Sequence, residues 1–253
     1  FQMNELLIYL SGIWNINMTL AAFVAIPSGV IQGYAGFGGA LVSLPFFVIL
    51  FGPVSGFAMI LIVMFLIQAT LFPRAVVKAD WKEIFPLAGA SAVTLSLGLL
   101  FLVTADPNFI KKGMGIFIIL LTRFLISGWR YKGNRRCAVG VTTGAIAGGI
   151  TGSFGVAAFP LSALYFYSSS SGIEIIRANV LMALVSNLIV AISGLAIQGI
   201  YQETLIARAF IIAPIFIISA ILGQYLHGYA PVSWFRPVVY TILILSAVSL
   251  LFT

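Results

Sequence analysis

From Met18 to Phe51 the chain is apolar and carries no charged residue. As one helix that run would be roughly 50 Å long, at about 1.5 Å per residue. A bilayer core is only about 30 Å thick, so the run must break. Four glycines between Gly33 and Gly39, in Gln32-Gly33-Tyr34-Ala35-Gly36-Phe37-Gly38-Gly39, mark the place. The pattern predicts segment A at about 18–33, B at about 38–51 and C at about 55–73, ended by Pro73. A charged loop with Arg74, Lys78, Asp80, Trp81, Lys82 and Glu83 follows, then D at about 84–103 and E at about 109–127. The same order returns as A′ at 138–150, B′ at 155–168, C′ at 173–197, D′ at 204–226 and E′ at 232–252.

The second half carries its own break, Gly148-Gly149-Ile150-Thr151-Gly152-Ser153-Phe154-Gly155, closed by Pro160 as Pro45 closes the first. Gly36 and Gly152 stand 116 residues apart, as do Gly56 and Gly172, and Pro45 and Pro160 stand 115 apart. Pro107 and Pro231 are 124 apart, the drift that loop insertions give. The order predicts an N-terminal interfacial segment over 1–17, with a short helix at 4–11. A first repeat then covers 18–128, a basic linker 129–137 and a second repeat 138–253. Two broken helices at corresponding places in two halves are the sequence pointer to a transporter's binding site.

Composition fixes the solvent. The chain is 61% hydrophobic and 8% charged, against about 25% charged for a soluble domain. It is therefore an all-α polytopic membrane protein. One cysteine, Cys137, and one histidine, His227, exclude a disulfide framework and a Cys/His metal cluster within the chain. The net charge of +7 reads as membrane orientation rather than nucleic-acid binding. Residues 1–17 contain no Lys or Arg, so no cleavable signal peptide is expected. Three Lys/Arg in the C–D loop and five from Arg123 to Arg136 place both stretches in the cytoplasm. With an odd number of crossings per half, the repeats are inverted and both termini lie outside.

Backbone released by the glycines cannot face lipid; it must be buried in protein or line a cavity. The N-termini of B and B′ carry unpaired N–H groups and the positive ends of the helix dipoles. Brought together near the midplane, they would form an anion site. The candidate substrate-binding residues are Gln32, Gly33, Gly36, Phe37, Gly38, Gly39, Gly152, Ser153, Phe154 and Gly155, with Ser43 and Thr151 as further hydrogen-bonding groups. The competing reading is that such glycines only let helices pack closely. Gln68 in C and Asn187 in C′ read equally as ligand groups and as helix–helix glue. Arg177 is an arginine inside C′ whose fork suits an oxyanion; its bland alternative is an ion pair with Glu174. Arg208 and Arg236 read as interfacial, and His227 as a solvated residue at a helix end. No acidic residue lies in the middle of a span, and no phosphate-binding loop ending in Lys-Ser/Thr occurs.

Four motifs in order, Gly33-Tyr34-Ala35-Gly36-Phe37-Gly38-Gly39, Ala79-Asp80-Trp81-Lys82, Gly149-Ile150-Thr151-Gly152-Ser153-Phe154-Gly155 and Ile176-Arg177-Ala178-Asn179, resemble the sulfite exporter TauE/SafE family over roughly residues 18–252. The resemblance implies a bacterial inner-membrane carrier for sulfite, sulfoacetate and related organosulfonates, with eight spans in two related halves. Val156 and Ala157 replace the consecutive glycines commoner after the second Phe-Gly. The expected activity is export of a small sulfur-containing anion; the alternatives are an anion channel, or an importer of a related oxyanion, built on the same helix ends. An enzyme is not expected. Neither a cofactor nor a metal nor a nucleic-acid partner is expected; the partners are the anion, the lipid bilayer and, as a compatible assembly, a second copy in a homodimer.

Overall fold

The computed structural model describes residues 14–36, 38–69, 72–127, 137–169, 171–226 and 232–252. The expected interfacial helix at 4–11, Phe37, Thr70, the basic linker at 129–136, Pro231 and His227 lie outside the described residues, as does the side chain of Arg236. Eleven helices are described. They are α1 Ile16–Ala35, α2 Gly39–Phe51, α3 Pro53–Ala69, α4 Phe72–Lys78, α5 Trp81–Thr104, α6 Pro107–Ile126, α7 Cys137–Phe154, α8 Phe159–Tyr167, α9 Ile173–Ile197, α10 Glu203–Leu226 and α11 Val232–Phe252. All ten predicted segments appear. The difference lies in the charged loop, where Arg74 to Lys78 form the short helix α4 and Trp81 already starts α5.

Polar residues set the helix starts. Asn15 accepts the Met18 N–H (3.0 Å) at α1, and Asp80 accepts the Lys82 N–H (3.1 Å) at α5. Asp106 accepts from Asn108 (2.9 Å) and Phe109 (3.0 Å), ahead of a proline at the first position of α6. Each satisfies N–H groups that a helix leaves without internal partners. Five helices, α1, α5, α7, α9 and α10, are long and apolar enough to cross a membrane. At 13 and 9 residues, α2 and α8 reach only about 20 and 14 Å.

Both short helices fold back beside the long helix before them. Asn17 Nδ2 donates to the Leu50 carbonyl (3.0 Å), joining the start of α1 to the end of α2. A Cβ on Gly39 would stand 2.6 Å from Gln32 Cβ and from the Ser28 carbonyl, so α2 begins part-way along α1. Likewise a Cβ on Gly140 would stand 3.0 Å from the Tyr165 hydroxyl, so α8 returns along α7.

Between helices in lipid there is no hydrophobic drive, and association rests on close packing of small residues. The two tightest crossings use them reciprocally. The helix before the first break, α1, lies on α10, and the helix before the second, α7, lies on α5. Gly29 and Gly33 of α1 leave no room for a Cβ against Phe216 and Ala220. Gly148 and Gly152 of α7 do the same against Ser91 and Leu95. α6 packs on α11, while α3 and α9 meet each other at the centre of the bundle.

Candidate functional site

The two breaks have one local design. α1 ends at Gly36 and α7 at Gly155, both at positive φ (77° and 67°), where a side chain would cost about 1–2 kcal/mol. Four residues before each glycine stands a polar side chain. It accepts the backbone N–H three residues after the glycine. Gly39 N–H donates to Gln32 Oε1 (3.0 Å), and Ala158 N–H donates to Thr151 Oγ1 (3.3 Å). The helix ends therefore pair Gly36 with Gly155, correcting the sequence match of Gly36 with Gly152. Gly152 corresponds in packing to Gly33 instead. Pro45 and Pro160 are not equivalent either: Pro45 lies inside α2, while Pro160 is in the first turn of α8.

Both breaks open on one chamber of about 90 Å³. From the first come Gln32, Gly38, Ala40 and Leu41; from the second, Thr151, Gly155, Ala157 and Phe159. Gln68 of α3 and Asn187 of α9 complete the polar wall, and Leu, Ile, Met, Phe and Ala side chains make up most of the rest. Among the described residues no Asp, Glu, Lys, Arg or His lines it. The volume holds a few water-sized atoms, the scale of a small oxyanion. At the start of α2 the Gly39 N–H is taken by Gln32, and Val42 N–H bonds the Gly38 carbonyl (3.0 Å). Among the described residues no group accepts the Ala40 or Leu41 N–H, which stand at the positive end of the helix. At α8, Pro160 has no N–H and Leu161 bonds Ala158 (3.0 Å), and the Phe159 N–H has no acceptor among the described residues.

Beside the chamber lies a vestibule of about 640 Å³. Its wall includes Gly33, Gly36, Lys78, Glu174, Arg177 and Gln224. Gln68, Phe159 and Leu184 belong to both spaces and form the neck between them. Lys78 and Glu174 pair at 2.6 Å, both largely exposed, which marks the mouth at the α4 end of the bundle. Glu174 therefore pairs with Lys78 and not, as the alternative reading of Arg177 has it, with Arg177. Arg177 is exposed and makes no ion pair among the described residues.

The predicted site residues thus fall into three places. Gln32, Gly38, Gln68, Gly155 and Asn187 line the chamber. Gly33, Gly36 and Arg177 face the vestibule, although Gly33 is fixed mainly by the Ala220 carbonyl. Gly39, Gly152, Ser153 and Phe154 serve packing. Gly39 sits against Ser28, Gln32 and Phe216. Gly152 and Ser153 abut α5 at Leu95 and Gly98. Phe154 stacks among Phe101, Phe109 and Phe117, the last at 4.8 Å between centroids. Ser43 spends its hydroxyl on the Gly39 carbonyl (2.8 Å).

Sequence reasoning missed Phe159, Leu184 and Ser91. Ser91 Oγ donates to Asn187 Oδ1 (2.9 Å) and so orients that amide. Phe159 and Leu184 carry no signal within apolar helices. Two motifs whose roles were open are joined: the Asp80 N–H donates to Asn179 Oδ1 (2.7 Å), and Asn179 Nδ2 donates to Glu83 Oε2 (3.1 Å). Asn179 is 1% exposed. It fastens the start of α5 to α9 between the wall residues Ala178 and Val180.

A donor-lined chamber inside a bundle of membrane-length helices, reached through a wide mouth, defines a membrane transport protein. The family model described as Sulfite exporter TauE/SafE matches residues 20–250, and the chain belongs to that family. Its members are membrane transporters of sulfite-type anions rather than enzymes. No curated protein and no solved structure gives a match.

Proposed function

We propose that this chain is a secondary carrier that exports a small sulfur oxyanion, sulfite or a small organosulfonate, from the α4 side of a bacterial inner membrane. The observation that carries the reading is the convergence of both glycine breaks on one small chamber beside a vestibule bearing Lys78 and Arg177. A wide mouth, a neck and a small chamber suit alternating access better than continuous flow through a channel. Reciprocal packing of α1 on α10 and α7 on α5 supports two inverted repeats. Rocking one repeat against the other would open the chamber to the opposite side.

Lys78, Lys82, Arg123 and Arg177 gather at the α4 end, with the basic stretch that follows α6 in sequence. Lys111, Lys112 and Arg208 stand at the opposite helix ends. The bias supports an orientation with the α4 end in the cytoplasm and both ends of the described chain outside. An inside-negative potential then drives an anion outward by about 2.3 kcal/mol per charge per 100 mV, so export needs no coupled ion. The test is counterflow in proteoliposomes. A carrier loaded with unlabelled sulfite accelerates uptake of labelled sulfite and saturates; unitary currents without counterflow would establish a channel instead. Orientation is tested on exposed Cys137, at the start of α7. An impermeant maleimide should label it only from the cytoplasmic side.

A further inference from the structure

The chamber wall offers donors and almost no acceptors. Gln32 Oε1 is occupied by the Gly39 N–H, and among the described residues Gln32 Nε2 donates only to the Gly36 carbonyl, at 3.4 Å. Asn187 Oδ1 is occupied by the Ser91 hydroxyl, and Nδ2 has no hydrogen-bond partner among the described residues. Thr151 Oγ1 accepts the Ala158 N–H. Gln68 is 5% exposed, lines the chamber and makes no hydrogen bond among the described residues. A buried amide without a partner costs free energy unless a ligand or water meets it. Three of the four side-chain oxygens of the wall, those of Gln32, Thr151 and Asn187, are taken by the protein, so apart from the Gln68 amide oxygen the polar side chains present N–H and O–H groups to an occupant, which supplies the acceptors.

Among the described residues the same wall carries no formal positive charge. The charges near the path, Lys78, Glu174 and Arg177, stand on the vestibule wall beyond the neck. A helix end supplies only about half a unit of charge, and amide dipoles add no net charge. A single negative charge can be balanced by such partial charges; a second would be buried without a counter-ion, which is strongly unfavourable.

We propose that the chamber selects by charge state, taking a tetrahedral or pyramidal sulfur oxyanion as the monoanion (hydrogensulfite or a sulfonate) and refusing the dianion. The inference rests on the transport reading above and specifies the species that occupies the site. Each hydrogensulfite exported would carry one proton with it. Gln68, unpartnered and shared by vestibule and chamber, would make first contact as the anion sheds water at the neck.

The test is equilibrium binding to the purified full-length protein. The probes are methanesulfonate, a monoanion at every working pH, and sulfite, whose second ionisation falls near neutrality. Methanesulfonate affinity should be flat with pH. Apparent sulfite affinity should fall by about tenfold per pH unit above that ionisation, as the competent fraction falls, and sulfate should not compete. Gln68→Lys, which puts a cation at the neck, should flatten the sulfite profile and admit sulfate. Sulfite binding that is flat or strengthens with pH in the wild type would overturn charge-state selection while leaving transport intact, as would competition by sulfate equal to that of methanesulfonate. Absence of binding by either probe would overturn the transport reading, and this inference with it.

Discussion

Asn187→Asp is the sharpest perturbation of the chamber. The two side chains have nearly the same shape, and the carboxylate still accepts the Ser91 hydroxyl that Asn187 Oδ1 accepts at 2.9 Å. What changes is the group left for the occupant, where an N–H donor becomes an anionic oxygen. Asn187 lines the chamber of about 90 Å³, so an occupant is a near neighbour of that oxygen. At an effective dielectric of about 20, two like unit charges 5 Å apart repel by about 3 kcal/mol. That corresponds to a loss of methanesulfonate affinity of about 200-fold. Protonation in acid turns the introduced carboxyl into a neutral donor, and binding should then recover. The assay is calorimetric titration with methanesulfonate over a pH series, on protein whose thermal midpoint matches wild type. Wild-type affinity at neutral pH would refute the placement of the anion beside Asn187.

Other outcomes follow from the same geometry. Gly33→Ala drives a Cβ into the Ala220 carbonyl, and overpacking of this kind costs about 1–3 kcal/mol or more. It should lower the yield of monodisperse protein, whereas Gly36→Ala, in open space at φ 77°, should still fold. A folded Gly33→Ala with only its affinity lost would instead make Gly33 a ligand group. Asn179→Ala removes two hydrogen bonds and leaves the Asp80 N–H unpaired, at a cost of about 1–3 kcal/mol. Its thermal midpoint should fall while affinity per folded molecule stays unchanged; an unchanged midpoint would contradict the fastening role. Arg177→Ala should slow anion association and weaken its salt dependence, with little effect on dissociation, as expected of a charge at the rim rather than in the site. A faster dissociation in stopped-flow mixing would return Arg177 to the chamber.

The all-helical class and the ten segments were legible because glycine, proline and charge punctuate an otherwise apolar chain. The convergence of the two breaks was foreseen from backbone chemistry, since freed N–H groups in a membrane must meet something polar. Their register was not. Glycines that cap helices and glycines that pack them look alike in sequence, so Gly152 was matched with Gly36 although it packs like Gly33. Arg177 was placed too deep. Four residues into α9, it is still at the mouth, and Glu174 turns to Lys78 of α4, a helix hidden in what reads as a loop. Phe159 and Leu184 form the neck by position alone, and an apolar residue in an apolar helix carries no mark of that. Ser91 orients Asn187 from a helix 96 residues away in sequence, a contact no local pattern encodes.

The central claim is that the anion occupies the chamber where the two breaks meet. Selenite, the heavier isologue of sulfite, locates it directly through the anomalous scattering of selenium in crystals of the complex. The account predicts one dominant peak within hydrogen-bonding distance of Gln32, Thr151 and Asn187. A peak confined to the vestibule beside Lys78 and Arg177, with the chamber empty at saturating selenite, would contradict it.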